Sequence, residues 1–227
     1  EFVFGGNPLI SDETYLQGRN AINSESEDAI AKIYFSLIRN AAASRITVTN
    51  KDTGETLLEK DSGQLFSGVY YPNGGYWQRD RQSLNVNWNP KGLAEGTNVE
   101  FLMEVAPEYF LEDDGTVDWD SLGKGTEMRI PMVIDNTAPV LENVELGLMD
   151  DTLQITASDN RYVAGVILFD GSGQRILEVV GAKMNIEPGE SAVYEIPVSG
   201  IGGTEFYLEG IDYAFNATTY RIQREIS

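Results

Sequence analysis

The chain has 227 residues, of which 36 are Asp or Glu and 16 are Lys or Arg, so its net charge is -20, and it contains no histidine and no cysteine. It therefore cannot itself supply a thiol nucleophile, a Ser-His-Asp triad or a Cys/His zinc site. The negative charge repels nucleic-acid phosphates and anionic membranes, so we expect no nucleic-acid partner. No apolar run approaches the roughly 20 residues that span a bilayer, so we expect no membrane insertion.

The first half of the chain alternates apolar and polar residues in several short segments. Strict alternation is typical of strands that bury one face. The segments are 31–37, 45–49, 99–105 and 128–134. A short helix around Ser121 and Leu122 is the only helical expectation.

The second half contains further predicted strands at closer spacing. Segment 153–158 alternates, and 163–169 is a continuous apolar run that is typical of a central strand. The predicted strands are 153–158, 163–169, 176–180, 192–198, 206–211 and 218–222. Asp, Asn and Gly clusters separate them and mark turns. About seven short strands in some ninety residues indicate a β-sandwich.

The predicted domain boundary is the segment Asp135-Asn136-Thr137-Ala138-Pro139. Pro139 restricts the preceding residue to an extended backbone, so this segment is expected to be a stiff link. We place one domain at 1–135 and a second at 136–227. The first residues lack an initiator Met and an export signal, so the chain is expected to begin within a longer protein.

Three motifs of the second domain resemble bacterial immunoglobulin-like or fibronectin type III-like repeats. They are the opening at 135–139, the turn Asp159-Asn160, and the closing Asp-x-Ala-x-Asn motif at 212–216. Segments 29–50 and 88–97 are similar to a module of cell-envelope subtilisin-like serine proteases of the lactocepin type. The resemblance implies an all-β chain of two tandem immunoglobulin/fibronectin III-like β-sandwiches, the first with long loops.

The same resemblance implies a function without catalysis in this chain. The modules would be structural, spacer or substrate-positioning parts of an exported peptidase whose catalytic residues lie outside this chain. Their partner would be an upstream protease domain of the same polypeptide, and their location extracellular and associated with the cell wall.

Six Asx residues are candidate metal ligands. If the strands pair as a sandwich, loops at one end bring several oxygen ligands together, as Ca²⁺ requires. The hypothesis is a structural Ca²⁺ at the joint between the domains; the alternative is that these side chains only cap turns. The residues are Asp135, Asn136, Asp159, Asn160, Asp212 and Asn216.

An aromatic loop is the candidate binding site. Tyr70, Tyr71, Tyr76 and Trp77 lie in or next to a Gly/Pro/Asn-rich stretch, 68–75. Exposed rings can contact a glycan or a partner protein, which predicts an adhesive module as the alternative function. The competing interpretation is that these rings cover the sandwich edge or pack on a neighbouring domain.

The acidic segment 112–120 invites comparison with a Ca²⁺-binding EF-hand. Placing Gly115 at the sixth loop position puts Phe110 at the first and Ser121 at the twelfth, where the loop requires acidic residues. The segment is therefore predicted to be an acidic surface loop.

Overall fold

The chain forms two compact units, Glu1–Ile134 (unit 1) and Asp135–Ser227 (unit 2). The predicted boundary lies one residue later. A computed structural model describes residues 2–4, 7–9, 20–26, 31–36, 41–61, 83–107, 117–121, 127–145, 152–180 and 187–223. Nearly all regular structure in these ranges is β-strand, which confirms the predicted all-β fold class.

Unit 1 contains nine described strands in two sheets. The strands are β1 Phe2–Phe4, β2 Asn7–Leu9, β3 Ala21–Ile22, β4 Ala31–Ser36, β5 Ala41–Asn50, β6 Thr56–Asp61, β7 Ser83–Trp88, β8 Asn98–Pro107 and β9 Glu127–Ile134. One sheet has the order β2-β1-β4-β7 and the other β3-β9-β8-β5-β6. The β3–β9 pair is parallel, and the other described pairs of unit 1 are antiparallel.

The core of unit 1 lies on the inward face of the five-stranded sheet. Ile46, Val48 and Phe101 are fully buried there, as the alternation predicts. Trp88 of the other sheet packs edge-to-face on Phe101 with ring centroids 5.4 Å apart, which joins the two sheets. Met128 follows the alternation but is 45% exposed, and its neighbours Glu127 and Arg129 in the first part of β9 are not buried either.

Unit 2 has seven described strands in two antiparallel sheets. They are β10 Val140–Glu145, β11 Thr152–Ser158, β12 Val163–Asp170, β13 Arg175–Val180, β14 Ser191–Pro197, β15 Glu205–Asp212 and β16 Ala217–Gln223. The sheet orders are β10-β11-β14 and β13-β12-β15-β16. A sandwich with this strand count agrees with the expectation from sequence.

Both sheets of unit 2 contribute to one core. Ile155 and Tyr194 come from the three-stranded sheet, and Val166 and Leu208 from the four-stranded sheet. Two sheets that bury their alternating faces against each other form a sandwich.

Helical structure is minor in the described residues. The 3₁₀ helix Trp119–Ser121 lies where a short helix was expected. Within the part of the chain that the structure describes, no helix has the length and hydropathy that crossing a bilayer requires.

Candidate metal centre

Three carboxylates of unit 2 converge although they are far apart in the sequence. Asp135 precedes β10, Asp159 follows β11, and Asp212 is the last residue of β15. One carboxylate oxygen from each lies within 4.8 Å of one from each of the others. The fold of unit 2 therefore brings the segment before β10 and the ends of β11 and β15 close together.

Each carboxylate is fixed by a local turn. The Oδ1 atoms of Asp135, Asp159 and Asp212 accept hydrogen bonds from the backbone N–H groups of Thr137 (3.3 Å), Arg161 (2.7 Å) and Asn216 (2.8 Å), respectively. Side-chain-to-backbone hydrogen bonds of this kind need no metal, as the turn-capping alternative requires. Capping explains the position of each carboxylate within its own turn. It does not explain why the three carboxylates converge on one another.

The three carboxylates are buried. Asp135 and Asp212 are each 1% exposed, and Asp159 is 6% exposed. Burial raises the pKa of Asp212 to about 7, and the charges of Asp135 and Asp159 add to the increase, against the hydrogen bonds from Asn216. Three ionised carboxylates that are this close together and this well shielded from water would repel one another strongly. A bound proton or a bound cation would relieve the repulsion.

Asn216 holds two of the three members together. Its Nδ2 donates to Oδ2 of Asp212 (2.6 Å) and to the backbone carbonyl of Asp135 (2.9 Å). Its backbone carbonyl accepts from the N–H of Asp212 at 3.1 Å, which closes the turn. Phe215 adopts a left-handed backbone there, φ 65°, which a bulky residue rarely takes.

The donor set fits Ca²⁺ better than a transition metal. Ca²⁺ prefers carboxylate and carbonyl oxygens, and carboxylates can bind it through one oxygen or two. Nitrogen and sulfur ligands, which zinc and copper prefer, are not available from histidine or cysteine in this sequence. Asp135, Asp159 and Asp212 would hold the cation. Asn216, whose Nδ2 is engaged as a donor, would hold the carboxylate of Asp212 and the backbone of Asp135 in place.

Four of the six predicted ligands thus lie in one buried group. The other two follow group members in the chain: Asn136 is half-buried and Asn160 is exposed. All six residues belong to unit 2, so the candidate site is a property of that unit. The predicted binding loop with Tyr70, Tyr71, Tyr76 and Trp77 lies outside the described residues.

Unit 1 also contains a buried carboxylate, Glu104, which the sequence analysis did not single out. Nε of Arg45 donates to Oε2 of Glu104 at 2.7 Å, and Cζ of Arg45 lies 5.1 Å from the centroid of the Trp119 ring. Trp119 is thus buried within the acidic segment that was predicted to be a surface loop, whereas Asp118 and Asp120 beside it are exposed. No sequence signal could have found this contact, because it joins residues far apart in the chain.

Comparison with known proteins gives no assignment. No model of a known protein family matches this chain, and no curated protein is significantly similar in sequence.

Proposed function

We propose that this chain is a non-catalytic structural segment of an exported cell-surface protein and that unit 2 is stabilised by a bound Ca²⁺ ion. The observation that carries the proposal is the convergence of Asp135, Asp159 and Asp212 within 4.8 Å in the interior of unit 2. A cation there would cross-link the entry of the unit to the ends of β11 and β15.

The burial of the three carboxylates argues against catalysis by this group. Paired carboxylates with separated pKa values are typical of glycoside hydrolysis, but they must reach a glycosidic bond. Side chains that are 1–6% exposed leave no room for a sugar. The same burial favours a structural cation, because exclusion of water strengthens each ionic contact.

The proposed setting is extracellular and associated with the cell wall. Extracellular modules use Ca²⁺ sites with dissociation constants of about 10⁻⁴ to 10⁻³ M. Segments 29–50 and 88–97 support a role as accessory modules beside an upstream subtilisin-like protease domain, and the motifs at 135–139 and 212–216 support the repeat type of unit 2. The full-length product of the gene tests this part, and a product without such a domain contradicts the peptidase assignment.

Melting of the purified chain in Ca²⁺ and in chelator tests the cation. With Ca²⁺ at about ten to a hundred times its dissociation constant, binding adds about 2 kcal/mol, a rise of roughly 10 °C in the melting temperature of unit 2. All three tryptophans precede residue 135, so tryptophan fluorescence follows unit 1 and calorimetry follows both units.

Asp159→Asn should abolish most of this increase, because it removes one of three charged ligands. Glu195→Gln is the matched control, since Glu195 is an exposed carboxylate of β14 bonded to Gln154. An unchanged unit 2 transition at about 100 mM Ca²⁺, or an equal loss in both variants, would disprove the cation site.

A further inference from the structure

The chain enters unit 2 through residues 135–139 and reaches the end of the described unit through β16. The strand after this entry segment, β10, belongs to the three-stranded sheet, whereas β16 is an edge of the four-stranded sheet. Neither sheet order pairs β10 with β16. Side chains must therefore provide any direct hydrogen-bonded tie between the two ends.

Two side-chain hydrogen bonds provide that tie. Nδ2 of Asn216 donates to the backbone carbonyl of Asp135 at 2.9 Å, and Oγ1 of Thr218 donates to the backbone carbonyl of Pro139 at 2.6 Å. Asn216 is buried and Thr218 is half-buried, so water competes poorly for these bonds.

The order of the bonded residues sets the direction of the tie. Asp135 precedes Pro139, and Asn216 precedes Thr218, so the entry segment and the start of β16 advance in the same direction. When the chain is pulled by its ends, the entry segment is drawn toward the N-terminus and β16 toward the C-terminus. Because the two segments run in the same direction, they are pulled in opposite senses along it. Both bonds are then loaded together in shear, whereas the bonds of a hairpin opened from its end break one at a time.

A close packing contact reinforces the tie. A Cβ atom at Gly210 of β15 would lie only 2.7 Å from Cδ2 of Leu141 of β10, so the glycine is what allows Leu141 to pack on β15. Leu141 is also part of the buried core. Detaching β10 therefore requires breaking this contact as well as the two hydrogen bonds.

We infer that unit 2 is a tension-bearing module in which Asn216 and Thr218 fasten its entry segment to its last strand. This inference rests on the proposed structural role, since a spacer on a cell surface transmits force along its chain. It makes no use of the cation, because both hydrogen bonds are formed by the chain alone.

Unfolding at constant force tests the inference. The full chain is held by its two ends in chelator, and unit 2 is recognised by the shorter length that it releases. Thr218→Val removes the hydroxyl while keeping the size and β-branching of the side chain. We expect unit 2 to unfold about three to ten times faster at the same force, the effect of losing one hydrogen bond.

Thr219→Val is the matched control. Thr219 is the next residue of β16, is exposed, and points to the opposite face of the strand. Its substitution should leave the unfolding rate of unit 2 within about twofold of the parent, the range expected of a surface change.

A second pulling direction separates mechanical from general weakening. The chain has no cysteine, so the paired substitutions Gln174→Cys and Ser199→Cys, at exposed positions, give unique attachment points that bypass the entry segment. Thr218→Val should then change the rate at most about twofold. Equal acceleration in both directions, or none when the ends are pulled, overturns the inference. Failure of Ca²⁺ binding, which is scored by melting, leaves these rates unaffected.

Discussion

Glu104 in unit 1 and Asp212 in unit 2 are buried carboxylates on interior strands of their sheets, but their surroundings are different. Glu104 accepts a hydrogen bond from the guanidinium of Arg45, which in turn lies against the ring of Trp119. The charges that act on Asp212 are those of Asp135 and Asp159, and both oppose its ionisation.

The difference shows two ways of keeping an acid inside a protein. Unit 1 pairs Glu104 with a base from its own chain, so this carboxylate needs no cation from the solvent. Unit 2 gathers three acids, so its neutralisation depends on what the solution supplies, a proton or a cation. A chain with 16 bases and 36 acids cannot pair every carboxylate internally.

The largest expected difference between the two units is their response to pH in chelator. Asp212 has a pKa of about 7 in the folded unit, against about 3.9 in an unfolded chain, so the folded state keeps its proton where the unfolded state has lost it. The free energy of unfolding of unit 2 should therefore fall by about 4 kcal/mol as the pH rises from about 4 to about 8, and then level off.

Calorimetry across this pH range, with tryptophan fluorescence to identify unit 1, measures the effect. Asp212→Asn should remove most of the slope. A free energy of unfolding of unit 2 that rises with pH over the same window would contradict the prediction.

The next largest effect is expected in unit 1. Arg45→Met leaves Glu104 buried without its guanidinium, which should lower the free energy of unfolding of unit 1 by about 3 kcal/mol. Urea unfolding followed by tryptophan fluorescence measures it. Adding Glu104→Gln should recover much of the loss, because the neutral side chain no longer needs a base; a purely additive double variant would show that the pair does not interact.

A smaller effect, of changing sign, is expected at Asp159. In chelator at pH 8, Asp159→Asn should raise the free energy of unfolding of unit 2 by about 1–2 kcal/mol, because an amide keeps the acceptor for the N–H of Arg161 and removes one of three repelling charges. In excess Ca²⁺ the parent should be the more stable protein. If Asp159→Asn were the more stable protein in both buffers, no bound cation would be offsetting the repulsion among the carboxylates.

The smallest effect is expected for an exposed base of unit 1. Arg129 bonds to Glu100 and Glu127, each at 2.9 Å, but its side chain is 46% exposed. Arg129→Ala should therefore cost less than about 1 kcal/mol in the urea experiment. A loss as large as that of Arg45→Met would show that burial does not explain the difference between the two ion pairs.

Local patterns in the sequence predicted most of the strands. Alternation located β4, β5, β8 and β9 in unit 1 and β11 in unit 2, a continuous apolar run located β12, and apolar segments between turn signals located β13 to β16. The patterns did not locate β1, β2, β3, β6, β7 or β10. In β10 the register shifts between Glu142 and Glu145, and Asn143 takes a positive φ of 52°. A bulge of this kind interrupts the alternation on which the prediction depends.

The sequence by itself determined the strands, the turns and the Asx residues that cap those turns, because these depend on neighbours a few positions apart. Only the tertiary structure decided that Asp135, Asp159 and Asp212 converge, that Arg45 rather than another base meets Glu104, and that Thr218 bonds to the carbonyl of Pro139. Those contacts join residues tens of positions apart, and their partners are chosen by how the two sheets of each unit pack.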